Sequence, residues 1–468
     1  MIKPTAATLA LLAAAAVPVA TRADVTFNYA LRATVGAEAD GDRTLGLGSN
    51  GDSTQNLFVN LAPRALIQFG EDWTAYTRIR AFVPTGRAAP FDSNTPDNAT
   101  ARGNSFIALS ELWVQYNGLT SYPGEAISLG RQRVRQVGSE WWDEDIDSLR
   151  WNFATTLKSF DIGIARQLFH YRSDGAPIIA EQRHRTYGFG NASVDWRPEH
   201  RVGARAVVAQ DSGSAPRIGD TVDADSKLRN GQLNWLGLYA DNGFYDPLNR
   251  TPFNYWIEAN YLIGKQTEAS AGSGNVVDTR NRQDVNAYAG TIAGRWRPFT
   301  EFPVAFGAAY TYSSREYQQT GAQSNSSTFS GTQTLINRYN ETLRAQLGNL
   351  RVASAFVSLS FDNDAISAIF STLARNDGNA AITADNVIAQ TQANGRNHVG
   401  NGVDLVATHY FGRALRRQRL LDSGDAFVSQ KRRSLISIRA SAFDPGAAFG
   451  PGTELDYRVL LEATLWVN

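Results

Sequence analysis

Along much of the chain, apolar and polar residues exchange places at every second position, the period of a β-strand whose successive side chains point to opposite faces. In "FNYWIEANYLIG", residues 253–264, Phe253, Tyr255, Ile257, Ala259, Tyr261 and Ile263 share one face, and Asn254, Glu258 and Asn260 the other, with Trp256 and Leu262 as exceptions. "FPVAFGAAYTYS", residues 302–313, sends Phe302, Val304, Phe306, Ala308, Tyr310 and Tyr312 one way. "SLISIRASA" sets Ile436, Ile438, Ala440 and Ala442 against Ser437, Arg439 and Ser441. "DYRVLLEATLWVN" sets Tyr457, Val459, Leu461, Ala463, Leu465 and Val467 against Asp456, Arg458, Glu462 and Thr464. No long stretch carries the helical period.

The connections fall into two kinds. Tight ones lie around 70–72, 198–200, 298–301 and 362–364; long ones rich in Gly, Ser, Asn and Asp span 41–54, 85–103, 212–231, 265–284, 318–337, 375–402 and 413–431. Short turns at one rim and long loops at the other describe an outer-membrane barrel, and strands of ~10 residues divide the chain into roughly eighteen. The predicted fold is therefore all-β: a transmembrane antiparallel β-barrel with long extracellular loops and mostly short periplasmic turns. A soluble sandwich or solenoid would share the alternation. Against it stand aromatics near the strand ends, charged residues on the opposite faces, and the absence of a fixed repeat.

Residues 1–23 read as an export signal, with Lys3, an apolar run from Ala6 to Val17 and the small-residue site Thr21-Arg22-Ala23. Residues 24–468 then form one barrel domain. No later segment supplies eighteen consecutive apolar residues, so a helical span is not predicted, whereas a closed barrel leaves no hydropathy peak. The mean hydropathy of −0.31 beside 23 Phe, 17 Tyr and 10 Trp fits that reading. The 45 basic and 45 acidic residues cancel, which offers nothing to nucleic acid, and with no cysteine there is no disulfide framework.

One stretch departs from simple alternation. "LGRQRVRQVGSEWWDEDIDSLRW", residues 129–151, places Arg131, Arg133 and Arg135 two apart and then Asp143, Asp145 and Asp147 two apart. Each row decorates one face of one strand, so either that face meets water or the charges meet each other. Ile127 and Leu129 share parity with the arginines, so a regular strand cannot send the former to lipid and the latter to the lumen. A bulge near Gly130, or a position beyond the membrane band, would resolve this.

Chemistry motifs are scarce. His170, His184, His200, His398 and His409 show no metal-binding spacing, no thiol ligand exists, and neither a phosphate loop nor a Gly-x-Ser-x-Gly elbow occurs. No metal or cofactor is predicted, and the chain reads as a channel rather than an enzyme. A hydrolase would need a Ser/His/acid set brought together from distant positions.

The segments "ELWVQYNGLTSYPGEAISLGRQRVR" (111–135) and "WWDEDIDSLRWNFATTL" (141–157) resemble the signature region of the alginate-export outer-membrane porins. The resemblance continues, in order, through "GQLNWLG" (231–237), "NYWIEANYL" (254–262), "QQTGAQSNSSTFSGT" (318–332), "VDLVATHYF" (403–411) and "DPGAAFGPGT" (444–453). It implies an eighteen-stranded barrel in the Gram-negative outer membrane, with an electropositive, anion-selective constriction for a polyuronate leaving the cell. The partners it implies are the anionic polysaccharide, outer-membrane lipid, and periplasmic scaffold and synthase components. By resemblance, Arg133 matches a constriction arginine, Asp143 and Asp174 match constriction aspartates, Arg32 stands at a lysine position and Asp145 at an asparagine position. With Arg131, Arg135 and Asp147, these residues are expected to form a polar gate at the lumen or a salt-bridge network stiffening the rim.

Other family arginine positions hold Ala62, Ser110, Ser326, Leu335 and Ser437. Arg64 and Arg439 share strand parity with two of the lost residues, Ala62 and Ser437, and are expected to compensate; Arg338 lies near a third. A less cationic pore leaves open a different polysaccharide, or uptake or general diffusion of acidic oligosaccharides and small anions. Residues 375–402, rich in Asn and Gly, are the candidate plug.

Overall fold

The computed structural model describes residues 25–41, 54–85, 105–122, 124–135, 142–173, 183–223, 226–246, 249, 251–299, 302–320, 326–332, 334–382, 391–412 and 434–467. The candidate leader lies outside them. In chain order the strands are β1 (Val25–Asp40), β2 (Thr54–Phe69), β3 (Trp73–Pro84), β4 (Phe106–Tyr116), β5 (Glu125–Arg135), β6 (Asp143–Ala154), β7 (Lys158–Arg166), β8 (Arg185–Arg197), β9 (His200–Asp211) and β10 (Arg229–Asp241). They continue with β11 (Phe253–Ala271), β12 (Val277–Trp296), β13 (Val304–Ser313), the two-residue β14 (Ser326–Ser327) and β15 (Ile336–Asn337), β16 (Leu350–Ser360), β17 (Asp364–Arg375), β18 (His398–Phe411), β19 (Ser434–Pro445) and β20 (Asp456–Val467).

Eighteen of these form one antiparallel sheet in which each strand pairs with its successor and β13 passes directly to β16. β1 meets β20 from Leu31↔Val467 to Asp40↔Arg458, which closes the cylinder. Closure satisfies the backbone groups that lipid could not. β14 and β15 pair only with each other.

The alternation read from the sequence assigns the two faces. On β11, Phe253, Ile257, Tyr261 and Ile263 are exposed, whereas Asn254, Glu258 and Asn260 are buried; the two exceptions, Trp256 and Leu262, are fully buried inside. On β19 and β20, Ile436, Ile438, Leu461 and Leu465 face outward and Ser437, Ser441, Arg458 and Glu462 inward. Exposed aromatics gather where strands meet the short turns: Phe27, Tyr29, Trp73, Phe160, Trp196, Phe253 and Trp296. Such a belt marks a membrane interface. Inside, hydroxyls bridge adjacent strands, as in Thr34 with Thr464 at 2.9 Å and Ser354 with Ser371 at 2.9 Å.

Two connections differ from expectation. Residues 265–284 are mostly strand, because β11 and β12 extend to Ala271 and Val277. The connection from Phe411 to Ser434 leaves at the rim of the short turns, since β18 runs toward that rim. The strand ends that this connection joins therefore lie at the rim of the tight turns.

The lumen is filled from both ends. The segment 314–349, between β13 and β16, buries Tyr317, Phe329, Ile336, Tyr339, Leu343 and Leu347 against inward side chains such as Trp235, Leu262, Val352 and Phe356. From the turn rim, Phe244 and Tyr245 enter the same space, and Thr328 donates to the Tyr245 carbonyl at 2.6 Å. Among the described residues, the segment 314–349 thus supplies most of the plug. The predicted candidate, 375–402, adds Ile382 and Val399 to the same interior cluster where it is described, and Asn349 donates to the Asp377 and Ala380 carbonyls at 3.0 Å. Polar bonds also tie the plug to the wall. Asn340, at φ 72°, donates its amide to Asp404 and Ser441, each at 3.0 Å, while the backbone N–H of Thr342 also reaches Ser441 at 3.0 Å. Burial pushes the Tyr317 and Tyr339 phenols up and the Arg338 guanidinium down from their ordinary ranges.

Candidate functional site

The arginine and aspartate rows lie on paired strands. β5 and β6 run in register from Glu125↔Phe153 to Arg135↔Asp143, which sets Arg131 opposite Asp147 and Arg133 opposite Asp145. The register is unbroken, so no bulge in this pair resets the alternation at Gly130. The strand changes its surroundings instead. β5 pairs with β4 only as far as Leu112↔Arg131. Beyond that point the free half of β4 takes residues 171–173 as its partner: Leu109 N–H donates to the Tyr171 carbonyl at 3.0 Å and Ser173 N–H to the Ile107 carbonyl at 2.8 Å.

With its place in the wall taken, the paired stretch of the hairpin from Arg131–Arg135 to Asp143–Asp147 turns into the barrel. One face presents Val134 and Ile146, both fully buried in the interior apolar cluster with Tyr187 and Phe189. The other carries the charges. Gly130 permits the bend: its φ of 131° is one that side-chain-bearing residues rarely adopt. A Cβ there would lie 2.3 Å from the Leu112 carbonyl oxygen.

The charges meet each other and the wall. Arg133 holds Asp143 through two contacts, Nε–Oδ1 at 2.8 Å and an Nη2–Oδ2 hydrogen bond at 3.0 Å, and Arg135 lies 3.5 Å from the same carboxylate. Asp145 accepts from Arg78 at 3.1 Å, and Arg78 also contacts Glu111 at 3.1 Å. Arg131 donates to the Leu109 carbonyl at 3.0 Å and to Gln167 at 3.1 Å, with its guanidinium 3.9 Å from the Tyr171 ring centre. Asp147 accepts from the Tyr171 hydroxyl and from Leu168 N–H. Arg131 and Asp147 therefore fasten the strap at 167–173, while Arg133, Arg135, Asp143 and Asp145 make an interior network.

The remaining predicted residues lie elsewhere on the inner wall. Arg32 and Arg64 occupy inward positions on β1 and β2; Arg64 sits 4.7 Å from the Trp466 ring centre. Arg439 pairs with Glu462 at 2.8 Å. Asp174 lies outside the described residues. Of the positions where arginine was expected, Ala62, Ser110 and Ser437 face inward and are buried, and Leu335 belongs to the plug. Arg64 and Arg439 share the inward faces of Ala62 and Ser437, as parity predicted.

Two members of the network, Arg78 and Glu111, escaped sequence reasoning. Arg78 follows Thr74 and Tyr76 on the inward parity of β3, which was a usable signal. Glu111 was hidden by a bulge: the β3–β4 register shifts between Arg78 and Ile79, and Ser110 and Glu111 both turn inward. Inner-wall pairs also missed are Arg205–Glu258 at 2.5 Å and Arg458–Glu38 at 2.6 Å.

The fold is that of outer-membrane porins. Acinetobacter baumannii OccAB4 superposes with a TM-score of 0.53 at 9% identity, covering 94% of this chain and 98% of that one. Pseudomonas aeruginosa OccK8 (OprE) gives the same TM-score, identity and coverage. In sequence, the chain is 34% identical over 464 residues to the alginate production protein AlgE of Pseudomonas aeruginosa, covering 95% of this chain and 93% of that protein. It is 30% identical over 459 residues to AlgE of Azotobacter vinelandii, covering 93% and 92%. The family described as alginate export is matched over residues 24–458, and the chain belongs to that family of outer-membrane barrels.

Proposed function

We propose that this barrel conducts an alginate-like polyuronate outward across the outer membrane, through a lumen where inward arginines offset the charge of the polymer. The supporting observation is the inward placement of Arg32, Arg64, Arg78, Arg133 and Arg439 in a member of the alginate-export family. A polyuronate carries one carboxylate per sugar, and a narrow low-dielectric passage repels it unless fixed cations compensate. Arginine suits the task because it stays charged and can meet a carboxylate with two donors. Most of these guanidiniums already face acidic partners, so they form a polar gate with modest net charge.

In this reading Arg32, Arg64, Arg133, Arg439, Asp143, Asp145 and Asp174 line the substrate path, and Arg135 supports Asp143. Arg131 and Asp147 act at its border by holding the strap. Residues 1–23 serve as the export signal, and the polymer is delivered by periplasmic scaffold and synthase components. The test is the reversal potential of the purified barrel in a planar bilayer under a salt gradient. Anion preference is expected, and Arg133→Glu lowers it; cation selectivity of the unaltered protein overturns the proposal.

A further inference from the structure

We propose that Arg78 is a carboxylate-binding site for the passing polymer and that Asp145 is its built-in competitor, so that an acidic sugar opens the inward hairpin by taking the place of Asp145. This deepens the transport reading above and rests on it.

The geometry singles out this pair. Arg78 stands on the wall strand β3, whereas Asp145 stands on β6, past two intervening strands. Their contact at 3.1 Å ties the hairpin to the wall across the interior. Arg78 Nη2 reaches both Asp145 oxygens at 3.1 Å, the arrangement that a uronate carboxylate reproduces. Glu111 keeps its own 3.1 Å contact with Arg78 Nε and orients the guanidinium from the wall side. The binding group therefore stays in place when its partner changes.

Accessibility points the same way. The Arg78 and Asp145 side chains retain 14% and 15% of their exposure, so neither is sealed from solvent. Arg205 and Glu258, each 1% exposed, are sealed against exchange. Replacing one carboxylate by another conserves the charge balance at Arg78, so the exchange avoids the large penalty of leaving a charge uncompensated in a partly desolvated site. The displaced Asp145 then faces an anionic chain, and like-charge repulsion drives the inward part of β5 and β6 from the path.

The experiment measures the half-blocking concentration of an oligouronate in a planar bilayer, with an uncharged oligoglucose of equal length as the comparison. Refolded barrel is verified by heat-modifiable gel mobility for each variant. Asp145→Asn removes the competitor and is expected to lower the half-blocking concentration about five-fold, the scale of one partly exposed ion pair. Arg78→Gln is expected to raise it, while the response to oligoglucose is unchanged in both. An Asp145→Asn barrel with an unchanged or higher half-blocking concentration overturns the exchange while leaving the transport reading intact. If unaltered protein shows neither oligouronate block nor anion preference, the transport reading fails as well.

Discussion

Leu129 and Arg133 stand four residues apart on the same parity of β5, yet Leu129 is 63% exposed on the outer face and Arg133 only 9% exposed within the barrel. Between them lies Gly130, next to the last residue paired with β4, Arg131, beyond which the upper half of the strand turns inward. One covalent face thus serves two solvents. Gly130→Ala places a Cβ 2.3 Å from the Leu112 carbonyl oxygen at a φ of 131°. The expected loss is ~1–3 kcal/mol, the usual scale of an enforced backbone strain. It is read as a lower urea midpoint for the barrel in lipid vesicles. An unchanged midpoint would show that the bend does not depend on glycine.

The plug offers a cleaner manipulation because its ends are neighbours. Ser313 and Leu350 exchange hydrogen bonds at 3.1 Å, and Asn349 N–H donates to the Ser314 carbonyl at 3.0 Å. A short Gly-Asn turn can therefore replace residues 316–347 without altering the strand register. The shortened barrel is expected to conduct several-fold more current than the unaltered one. Equal single-channel conductance in the two proteins would mean that residues 314–349 do not limit flow.

Strand alternation was legible because lipid enforces it: a polar side chain outside costs too much to be frequent, so the outward faces of β11, β19 and β20 follow directly from the residues. The lumen obeys no such rule. Its tenants answer to one another across the barrel, and Asn340 reaching Asp404 and Ser441 links positions far apart in sequence. Periodicity has no access to that distance. The charge rows were visible as rows, and their inward placement was among the expectations, but their partner Arg78 was not. The strap at 167–173, which displaces β5 from β4, leaves no mark in local alternation.

The outward face makes its own prediction at Leu238, which is 66% exposed on β10. It pairs in register with Ala259, between the girdle residue Phe253 and Tyr261 on the neighbouring strand. That height is well inside the hydrocarbon. Leu238→Arg is expected to cost ~2–4 kcal/mol of folding free energy into vesicles, the depth-dependent penalty at the midplane of a barrel. Leu238→Ala serves as the comparison for lost apolar surface alone. If the two variants unfold at the same urea concentration, this face does not contact lipid at that depth.

The Arg205–Glu258 pair calls for a different outcome. Its two side chains are 1% exposed and 2.5 Å apart. Trp256 donates to the second Glu258 oxygen at 3.1 Å, and the guanidinium lies 4.8 Å from the Tyr239 ring centre. Glu258→Ala removes the carboxylate but leaves Arg205 buried beside Trp256, and losses of ~3–5 kcal/mol are usual when one partner of a buried pair is removed. Replacing both partners, as in Arg205→Met with Glu258→Leu, removes the stranded charge and is expected to recover most of that loss. The two single variants and the double variant form a thermodynamic cycle measured by urea unfolding in vesicles. A double variant less stable than Glu258→Ala would mean that the pair is held by more than mutual neutralisation, and that the surrounding Trp256 and Tyr239 contacts depend on the charges themselves.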